Sequence, residues 1–306
     1  MIAKSLWMNE VIYFSMKLLK IKIKDEVFNV WYFKGPKNSS VIHWSHGNGL
    51  HAPAYINLLG QLSNFCTVYA WDARAHGTNR NLTHPVAEKI FEQYTDDLVN
   101  LITVLYHKYK KPIILAGHSF GASICIKAEA NLRGKISKLI LADPVFFTPF
   151  IARFSKTLRL LKFQKPKTIY LAQNAAKRVN IWTTRMEAEL KLSQKRLFKG
   201  WDKISFQKYI EYGIFETDQG ATLCCPRDIE ALIFKESEFE FLSSKIIDLS
   251  VKTFIYTASK ASPTFAQKFL KKAKKVETCK VIPSTNHMFP IEQYGRFIQE
   301  IREHIA

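Results

Sequence analysis

The chain alternates short apolar runs with longer amphipathic stretches, and this alternation predicts its secondary structure. Residues 18–23 and 27–33 alternate apolar and polar side chains across a polar turn, which predicts an antiparallel hairpin. Six further apolar runs predict strands at 41–44, 67–71, 113–116, 138–142, 253–256 and 276–282. Segments with helical spacing separate several of these runs, as at 54–64, 91–109 and 120–133. Strands alternating with helices predict an α/β fold with a mostly parallel sheet covered on both faces.

A long stretch in the second half of the chain breaks this alternation. Residues 145–245 are helical in pattern and rich in aromatic side chains. Within 149–164, Phe150 and Phe154 recur on one helical face, while Arg153 and Lys156 recur on another. Because strand and helix patterns alternate again from residue 253, we expect one sheet with a helical insertion rather than two independent domains.

The composition indicates a folded protein with a large core. Of the 306 residues, 47% are apolar and 13% aromatic, and the mean hydropathy is −0.11. These values exclude a disordered tail, a collagen and a short disulfide-stapled chain. The five cysteines are scattered and form neither a disulfide framework nor a metal-binding Cys-x-x-Cys pair. This usage is typical of a reducing compartment, so the predicted location is cytoplasmic.

The net charge of +19 is concentrated in two segments. Residues 150–209 contain 15 Lys and Arg against three acidic residues, and residues 251–281 contain eight Lys against one Glu. Such charge attracts anionic partners. We expect a solvated lysine-rich surface, with weak association with an anionic lipid surface as the alternative. No nucleic-acid-binding motif accompanies the charge, so no nucleic-acid partner is predicted.

The strongest chemical signal is Gly117-His118-Ser119-Phe120-Gly121, which follows a predicted strand and begins a predicted helix. A serine at such a sharp turn projects its hydroxyl above the sheet edge, and the flanking glycines avoid Cβ collisions with neighbouring strands. The helix N-terminus behind the serine favours developing negative charge. The pattern predicts Ser119 as a nucleophile.

Two other loops supply the remaining groups that acyl transfer needs. Residues 46–49 read His-Gly-Asn-Gly at the end of a predicted strand. The backbone N–H groups of Asn48 and Phe120 are the predicted oxyanion-hole donors, with the Asn48 side chain as an alternative. His287 lies in a loop after the last predicted strand and is the predicted general base, because histidine accepts a proton at neutral pH.

The sequence resembles the α/β-hydrolase family at residues 46–49, Asp72-x-Arg74-x-His76-Gly77, the serine turn 117–121 and Asn286-His287. The resemblance implies the α/β-hydrolase fold: a mostly parallel eight-stranded sheet flanked by helices, with a helical cap inserted after the sixth strand. It assigns residues 1–145 and 250–306 to the core and residues 146–249 to the cap, or lid.

The triad acid departs from the common family pattern. Many α/β-hydrolases carry it in a Gly-x-x-Asp loop after the seventh strand, but no Asp or Glu occurs here between residues 250 and 276. Asp143 ends the strand expected beside the nucleophile strand, which resembles haloalkane dehalogenases and some lipases. A carboxylate there can accept the Nδ1–H of His287 and stabilise the imidazolium. Asp143 is therefore the predicted acid, with Asp248 and the acidic run 236–240 as alternatives.

The resemblance and the serine together imply a serine hydrolase. Serine forms acyl-enzymes with esters, thioesters or activated amides, so we expect a carboxylesterase or lipase-like enzyme that acts on a small-molecule acyl substrate. Apolar and aromatic residues are expected to line its pocket: His118, Phe146, Phe147, Phe150 and Trp182. No metal or cofactor is predicted. A membrane-surface module, a non-catalytic binding scaffold, a C–C bond hydrolase and an acyltransferase remain alternatives.

Overall fold

The computed structural model describes residues 15–145, 167–237, 248–259 and 273–305. The strands in these ranges are β1 (Met16–Ile23), β2 (Glu26–Phe33), β3 (Val41–Ser45), β4 (Thr67–Trp71), β5 (Ile113–His118), β6 (Ile136–Ala142), β7 (Ile181–Trp182), β8 (Ile214–Thr217), β9 (Gly220–Leu223), β10 (Lys252–Ala258) and β11 (Val276–Ile282). Eight of them form one sheet in the order β1-β2-β4-β3-β5-β6-β10-β11. The pairs β1–β2 and β2–β4 are antiparallel, and the other five pairs are parallel. The predicted mostly parallel eight-stranded sheet is confirmed.

Helices cover both faces of this sheet, and others belong to the segment between β6 and β10. The described helices are α1 (Ile56–Leu62), α2 (Ile90–Tyr109), α3 (Phe120–Glu129), α4 (Lys167–Lys177), α5 (Arg185–Ser193), α6 (Lys203–Gly213), α7 (Arg227–Glu236), α8 (Phe289–Glu292) and α9 (Tyr294–Ile301). The predicted helix 54–64 begins as a 3₁₀ turn, Ala52–Tyr55. Likewise, the predicted helix 120–133 ends in a 3₁₀ turn, Ala130–Leu132.

The central strands divide the core into two layers. Along β3, Ile42 and Trp44 join the cluster that contains α1 and α9. Val41, which points to the opposite face, joins the cluster that contains α2 and α3, and the ring of the intervening His43 meets the Trp71 side chain edge-on. All five β3 residues are buried, because helices cover both faces and leave no solvated side.

The described residues between β6 and β10 form a unit of helices and a small sheet. Its strands pair in the order β7-β9-β8, although the sequence pattern predicted only helices here. β8 and β9 form a hairpin whose Gly220 has φ +115°, a conformation that favours glycine. The predicted helix at 149–164 lies outside the described residues. The predicted limits of the cap, residues 146 and 249, stay predictions.

Side chains tie this unit to the main sheet's helices. Asn57 of α1 donates from Nδ2 to Asp202 Oδ1 at 2.7 Å. The same oxygen caps α6 by accepting the Ser205 amide at 3.0 Å. Asp202 Oδ1 therefore both caps the N-terminus of α6 and joins α6 to α1.

Among the described residues the sheet ends at β1 on one side and at β11 on the other. On β1, Lys17, Lys20 and Lys22 are exposed, and on β11 Glu277 and Lys280 are exposed. No helix in the described ranges combines the length and the apolar character that a bilayer crossing requires.

Candidate active site

The serine of the Gly-x-Ser-x-Gly motif occupies a strained turn between β5 and α3. Ser119 has φ 53° and ψ −117°, a conformation that costs a non-glycine residue about 1–3 kcal/mol. The next turn of backbone packs tightly on β3: a Cβ atom at Gly121 would lie 2.3 Å from the Ser45 carbonyl oxygen. Only glycine allows this approach, which explains why the motif ends in Gly121 and why the serine stands at the carboxyl edge of the sheet.

The structure brings Ser119, His287 and Asp143 into one hydrogen-bonded row. His287 Nε2 lies 2.9 Å from Ser119 Oγ, and His287 Nδ1 lies 2.7 Å from Asp143 Oδ2. A carboxylate accepts from Nδ1–H, so Nε2 carries the lone pair that receives the serine O–H. The arrangement can transfer a proton from the serine hydroxyl to the imidazole.

Asp143 is held firmly at the end of β6. Its φ is 42°, and its amide donates to the Tyr256 carbonyl of β10 at 2.7 Å. Its second carboxylate oxygen, Oδ1, accepts the Ala258 amide at 3.3 Å. Among the described carboxylates, it is Asp143 that hydrogen-bonds to His287; Asp248 and Glu236 have no such contact, and residues 238–240 are not described.

The loop after β3 places the side chain and the backbone amide of Asn48 in different surroundings. Asn48 Nδ2 donates to the Glu230 carbonyl at 2.9 Å, so the Asn48 side chain is already engaged. No hydrogen-bond partner among the described residues is recorded for the Asn48 amide or for the Phe120 amide at the start of α3. Between the two alternatives for Asn48, this arrangement favours the backbone N–H as the donor.

Two buried, neutral histidines stabilise this loop by accepting hydrogen bonds from backbone amides. His76 Nε2 accepts the Gly49 amide at 3.3 Å, and His46 Nε2 accepts the Ala73 amide at 2.8 Å. Burial lowers the pKa of His46 to about 4 and that of His76 to about 3. Both rings therefore stay uncharged at neutral pH and keep the lone pairs that these amides need.

A residue of α7 reaches the same loop from the inserted unit. The Glu230 carboxyl group forms an ion pair with Arg178 and lies so close to Gly49 that a Cβ there would come within 2.9 Å of it. Burial raises the pKa of Glu230, and Arg178 counters that rise. Arg178 and Tyr55 were not predicted as site residues, because no local pattern marks their contacts with Glu230 and His118, which are 52 and 63 residues away.

Of the five predicted pocket residues, the structure describes His118 and Trp182. His118 is buried, and both of its ring nitrogens are hydrogen-bonded. Trp182 is buried in β7 of the small sheet. Phe146, Phe147 and Phe150 lie outside the described residues, so their role stays a prediction. Within the described ranges, no group of three His, Cys, Asp or Glu side chains could hold a metal ion.

The comparison with known families defines the class of this protein. A model described as "Alpha/beta hydrolase family" matches residues 41–300, so the chain belongs to the alpha/beta hydrolase family. This agrees with the sheet order and with the turn at Ser119.

Curated relatives and solved structures lie within the same class. The protein phosphatase methylesterase 1 of Candida glabrata is 29% identical over 145 residues, which are 42% of this chain and 37% of that protein. The monoglyceride lipase of Rattus norvegicus is 31% identical over 132 residues, which are 42% of this chain and 43% of that protein. The match thus spans less than half of either relative.

The solved structures show the likeness in fold. The crystal structure of E-2-(acetamidomethylene)succinate hydrolase superimposes with a TM-score of 0.75 at 19% identity, covering 94% of this chain and 98% of that one. The peroxisomal alpha-beta-hydrolase Lpx1 from Saccharomyces cerevisiae superimposes with a TM-score of 0.73 at 16% identity. The superposition covers 95% of this chain and 87% of that one.

Proposed function

We propose that this protein is a serine hydrolase that cleaves a carboxylic ester through an acyl-enzyme. The observation that carries the proposal is the row Ser119 Oγ, His287 Nε2, His287 Nδ1 and Asp143 Oδ2, with hydrogen bonds of 2.9 and 2.7 Å. A binding scaffold would have no need of a strained serine aligned with a histidine and a buried carboxylate. The names of the curated relatives, a methylesterase and a lipase, support ester substrates.

The first half of the reaction forms the acyl-enzyme. His287 Nε2 takes the proton of Ser119 as Oγ bonds to the ester carbonyl carbon, and the carbonyl oxygen becomes an oxyanion. The amides of Asn48 and Phe120 donate to that oxyanion, and each such donor is worth about 10²–10³ in rate. Asp143 stabilises the imidazolium that forms. The proton then passes from Nε2 to the leaving alcohol as its bond to carbon breaks.

The second half releases the acid. A water molecule gives a proton to His287 Nε2 and attacks the acyl carbon, and the same two amides stabilise the new oxyanion. Collapse of this intermediate breaks the bond to Ser119 Oγ, and the proton returns from His287 to the serine. The N-terminus of α3 adds its partial positive charge to the site in both halves.

The proposed acyl pocket combines apolar residues of the inserted unit with the site. Trp182 is buried, and Phe146, Phe147 and Phe150 follow Asp143 closely in the sequence. Aromatic and aliphatic walls of this kind suit a hydrocarbon acyl group. A C–C bond hydrolase or an acyltransferase would use the same serine and is separated from an esterase by its products.

The test is covalent labelling followed by turnover. A fluorophosphonate probe should label Ser119, as identified by peptide mapping, and p-nitrophenyl esters of increasing chain length should be hydrolysed. Ser119→Ala should abolish both, whereas Ser63→Ala, which removes a hydroxyl that donates to the Gly60 carbonyl, should change neither. Absence of labelling and of hydrolysis in the folded wild-type protein would leave the non-catalytic scaffold as the better account.

A second candidate function is association of the inserted unit with an anionic lipid surface. On α5, Met186 is 76% exposed and Leu190 is 60% exposed, while Ala188 and Leu192 on the opposite face are buried. Exposed basic side chains stand close by in the sequence: Lys191, Lys195, Arg196 and Lys199. Apolar residues beside basic ones are the pattern of an interfacial helix.

Vesicle sedimentation tests this second function. The protein should sediment with phosphatidylglycerol vesicles at low salt, less at high salt, and not with phosphatidylcholine vesicles. The double variant Met186→Ser and Leu190→Ser should bind more weakly, whereas Val86→Ser, which replaces an equally exposed side chain outside the unit, should bind like wild type. No sedimentation at any salt concentration would exclude the lipid surface and leave the catalytic proposal intact.

A further inference from the structure

A continuous chain of buried hydrogen bonds joins the loop after β3 to the loop that carries His287. The Gly47 amide lies 3.0 Å from Tyr55 Oη, and Tyr55 Oη lies 2.7 Å from His118 Nδ1. His118 Nε2 lies 2.8 Å from the His287 carbonyl oxygen. The proposed mechanism uses neither Tyr55 nor the His118 ring, so this chain needs its own explanation.

The two ends of the chain fix the direction of every bond in it. An amide N–H can only donate and a carbonyl oxygen can only accept. His118 therefore donates from Nε2–H to His287, and its Nδ1 accepts the Tyr55 hydroxyl, whose oxygen accepts the Gly47 amide. Burial lowers the pKa of His118 well below its ordinary value and raises that of Tyr55. Both side chains thus keep this pattern at neutral pH.

The chain connects three parts of the site that are far apart in the sequence. His118 directly precedes Ser119, Gly47 directly precedes Asn48, and the accepting carbonyl belongs to His287 itself. The ring of His118 also lies against that of His287, with centroids 4.7 Å apart. A Cβ atom on Gly47 would come within 3.1 Å of His118 Nδ1, so the loop packs directly on the ring.

We propose that Tyr55 and His118 are positioning residues that set the separation between the oxyanion-binding amide of Asn48 and the general base His287. This role rests on the proposed function. Neither side chain is hydrogen-bonded to Ser119 Oγ or to the His287 ring nitrogens; each acts through the backbone that it holds, and the His118 ring also packs against the ring of His287. A displacement of about 1 Å between catalytic groups lowers the reaction rate by about 10²-fold. Breaking the hydrogen bonds through Tyr55 and His118 should therefore lower kcat rather than weaken substrate binding.

The test compares four variants of the 306-residue chain with p-nitrophenyl esters. Tyr55→Phe removes the central hydroxyl, His118→Leu removes both ring nitrogens, and the double variant removes the whole connection. Each should lower kcat by about 10- to 100-fold with KM changed less than about twofold. The double variant should be no slower than the slower single variant, because both break the same chain. His118→Gln can still donate to the His287 carbonyl and should recover part of the kcat lost in His118→Leu.

Tyr69→Phe is the matched control. Tyr69 is also buried, and its hydroxyl is hydrogen-bonded to that of Tyr109 at 2.8 Å, away from the site. Its variant should lose thermal stability but keep wild-type kcat. If Tyr55→Phe behaves in the same way, or if the losses of Tyr55→Phe and His118→Leu multiply in the double variant, the positioning role is wrong.

The two proposals fail in different ways. If fluorophosphonate does not label Ser119 in the wild-type protein, the proposed function is wrong. If wild type is labelled and active but Tyr55→Phe is labelled at the same rate, only the positioning role is wrong. Should His118→Leu fail to fold, the comparison of Tyr55→Phe and His118→Gln with wild type still decides the question.

Discussion

His43 makes the stability of the fold depend on pH in a way that can be measured at a single residue. Its ring is buried in β3, and neither ring nitrogen has a hydrogen-bond partner among the described residues. Burial, with a smaller contribution from His46, lowers the pKa of His43 to about 3. In the unfolded chain the pKa returns to about 6.5. Between these values the unfolded state holds one more proton, so stability falls as the pH decreases below about 6.5.

The size of this effect follows from the two pKa values. Each pH unit below the unfolded pKa costs about 1.4 kcal/mol, so lowering the pH from 7 to 5 removes about 2 kcal/mol through His43 alone. That is a large part of a typical folding free energy of about 5–15 kcal/mol. The lowered pKa values of His46 and His76 act in the same direction, while the raised pKa values of Asp97 and Glu230 oppose them. The contribution of His43 is isolated by comparing how much free energy of unfolding wild type and a His43 variant each lose between pH 7 and pH 5.

Urea unfolding at pH 7 and pH 5 measures that difference. His43→Leu and His43→Gln both remove the titrating ring, but Leu is apolar and Gln keeps polar atoms. Between pH 7 and pH 5, each variant should lose about 2 kcal/mol less of its free energy of unfolding than wild type. His84→Gln, on the surface, controls for substituting a histidine outside the core. Equal losses in wild type and both His43 variants would refute the assignment of this acid sensitivity to the buried ring.

Three further predictions concern the site and its support. Asp143→Asn should lower kcat by about 10³–10⁴-fold, and an unchanged rate of ester hydrolysis would remove Asp143 from the mechanism. Gly121→Ala should destabilise the fold by about 1–3 kcal/mol, because its Cβ meets backbone, whereas Gly295→Ala, with nothing within 4 Å, should not; denaturant midpoints compare the two. Arg178→Met should cost about 3–5 kcal/mol at pH 8 by leaving Glu230 buried and unpaired. Since the raised pKa of Glu230 lets it take up a proton as the pH falls, that cost should shrink at pH 5, and a cost independent of pH would contradict the pairing.

The sheet could be predicted from the sequence because its central strands are short apolar runs with sharp polar ends. The predicted strand 67–71 coincides with β4, and 276–282 coincides with β11. The three strands β7 to β9 could not be predicted, since two to four residues are too few to show a period of two. After β11 the chain forms two helices, α8 and α9, which are separated at Gln293, whose φ of −132° is not helical.

Site residues could be predicted from the sequence only where a short local motif identifies them. Ser119 is marked by its glycines, and Asp143 by its position after a strand next to the nucleophile strand. Their geometry agrees with the predicted roles, which stay predictions until turnover is measured. Tyr55 and Arg178 gave no signal, because their partners His118 and Glu230 lie 63 and 52 residues away and only the folded chain brings them together.

The lysines of β1 bear on how two copies of this chain meet. An edge strand with unpaired N–H and C=O groups can extend a sheet into a neighbouring molecule. Lys17, Lys20 and Lys22 of β1 are exposed, and pairing two β1 strands would bring like charges together in a protein that already carries +19. Concentrated solutions should therefore resist strand-by-strand aggregation best at low ionic strength, where this repulsion is least screened.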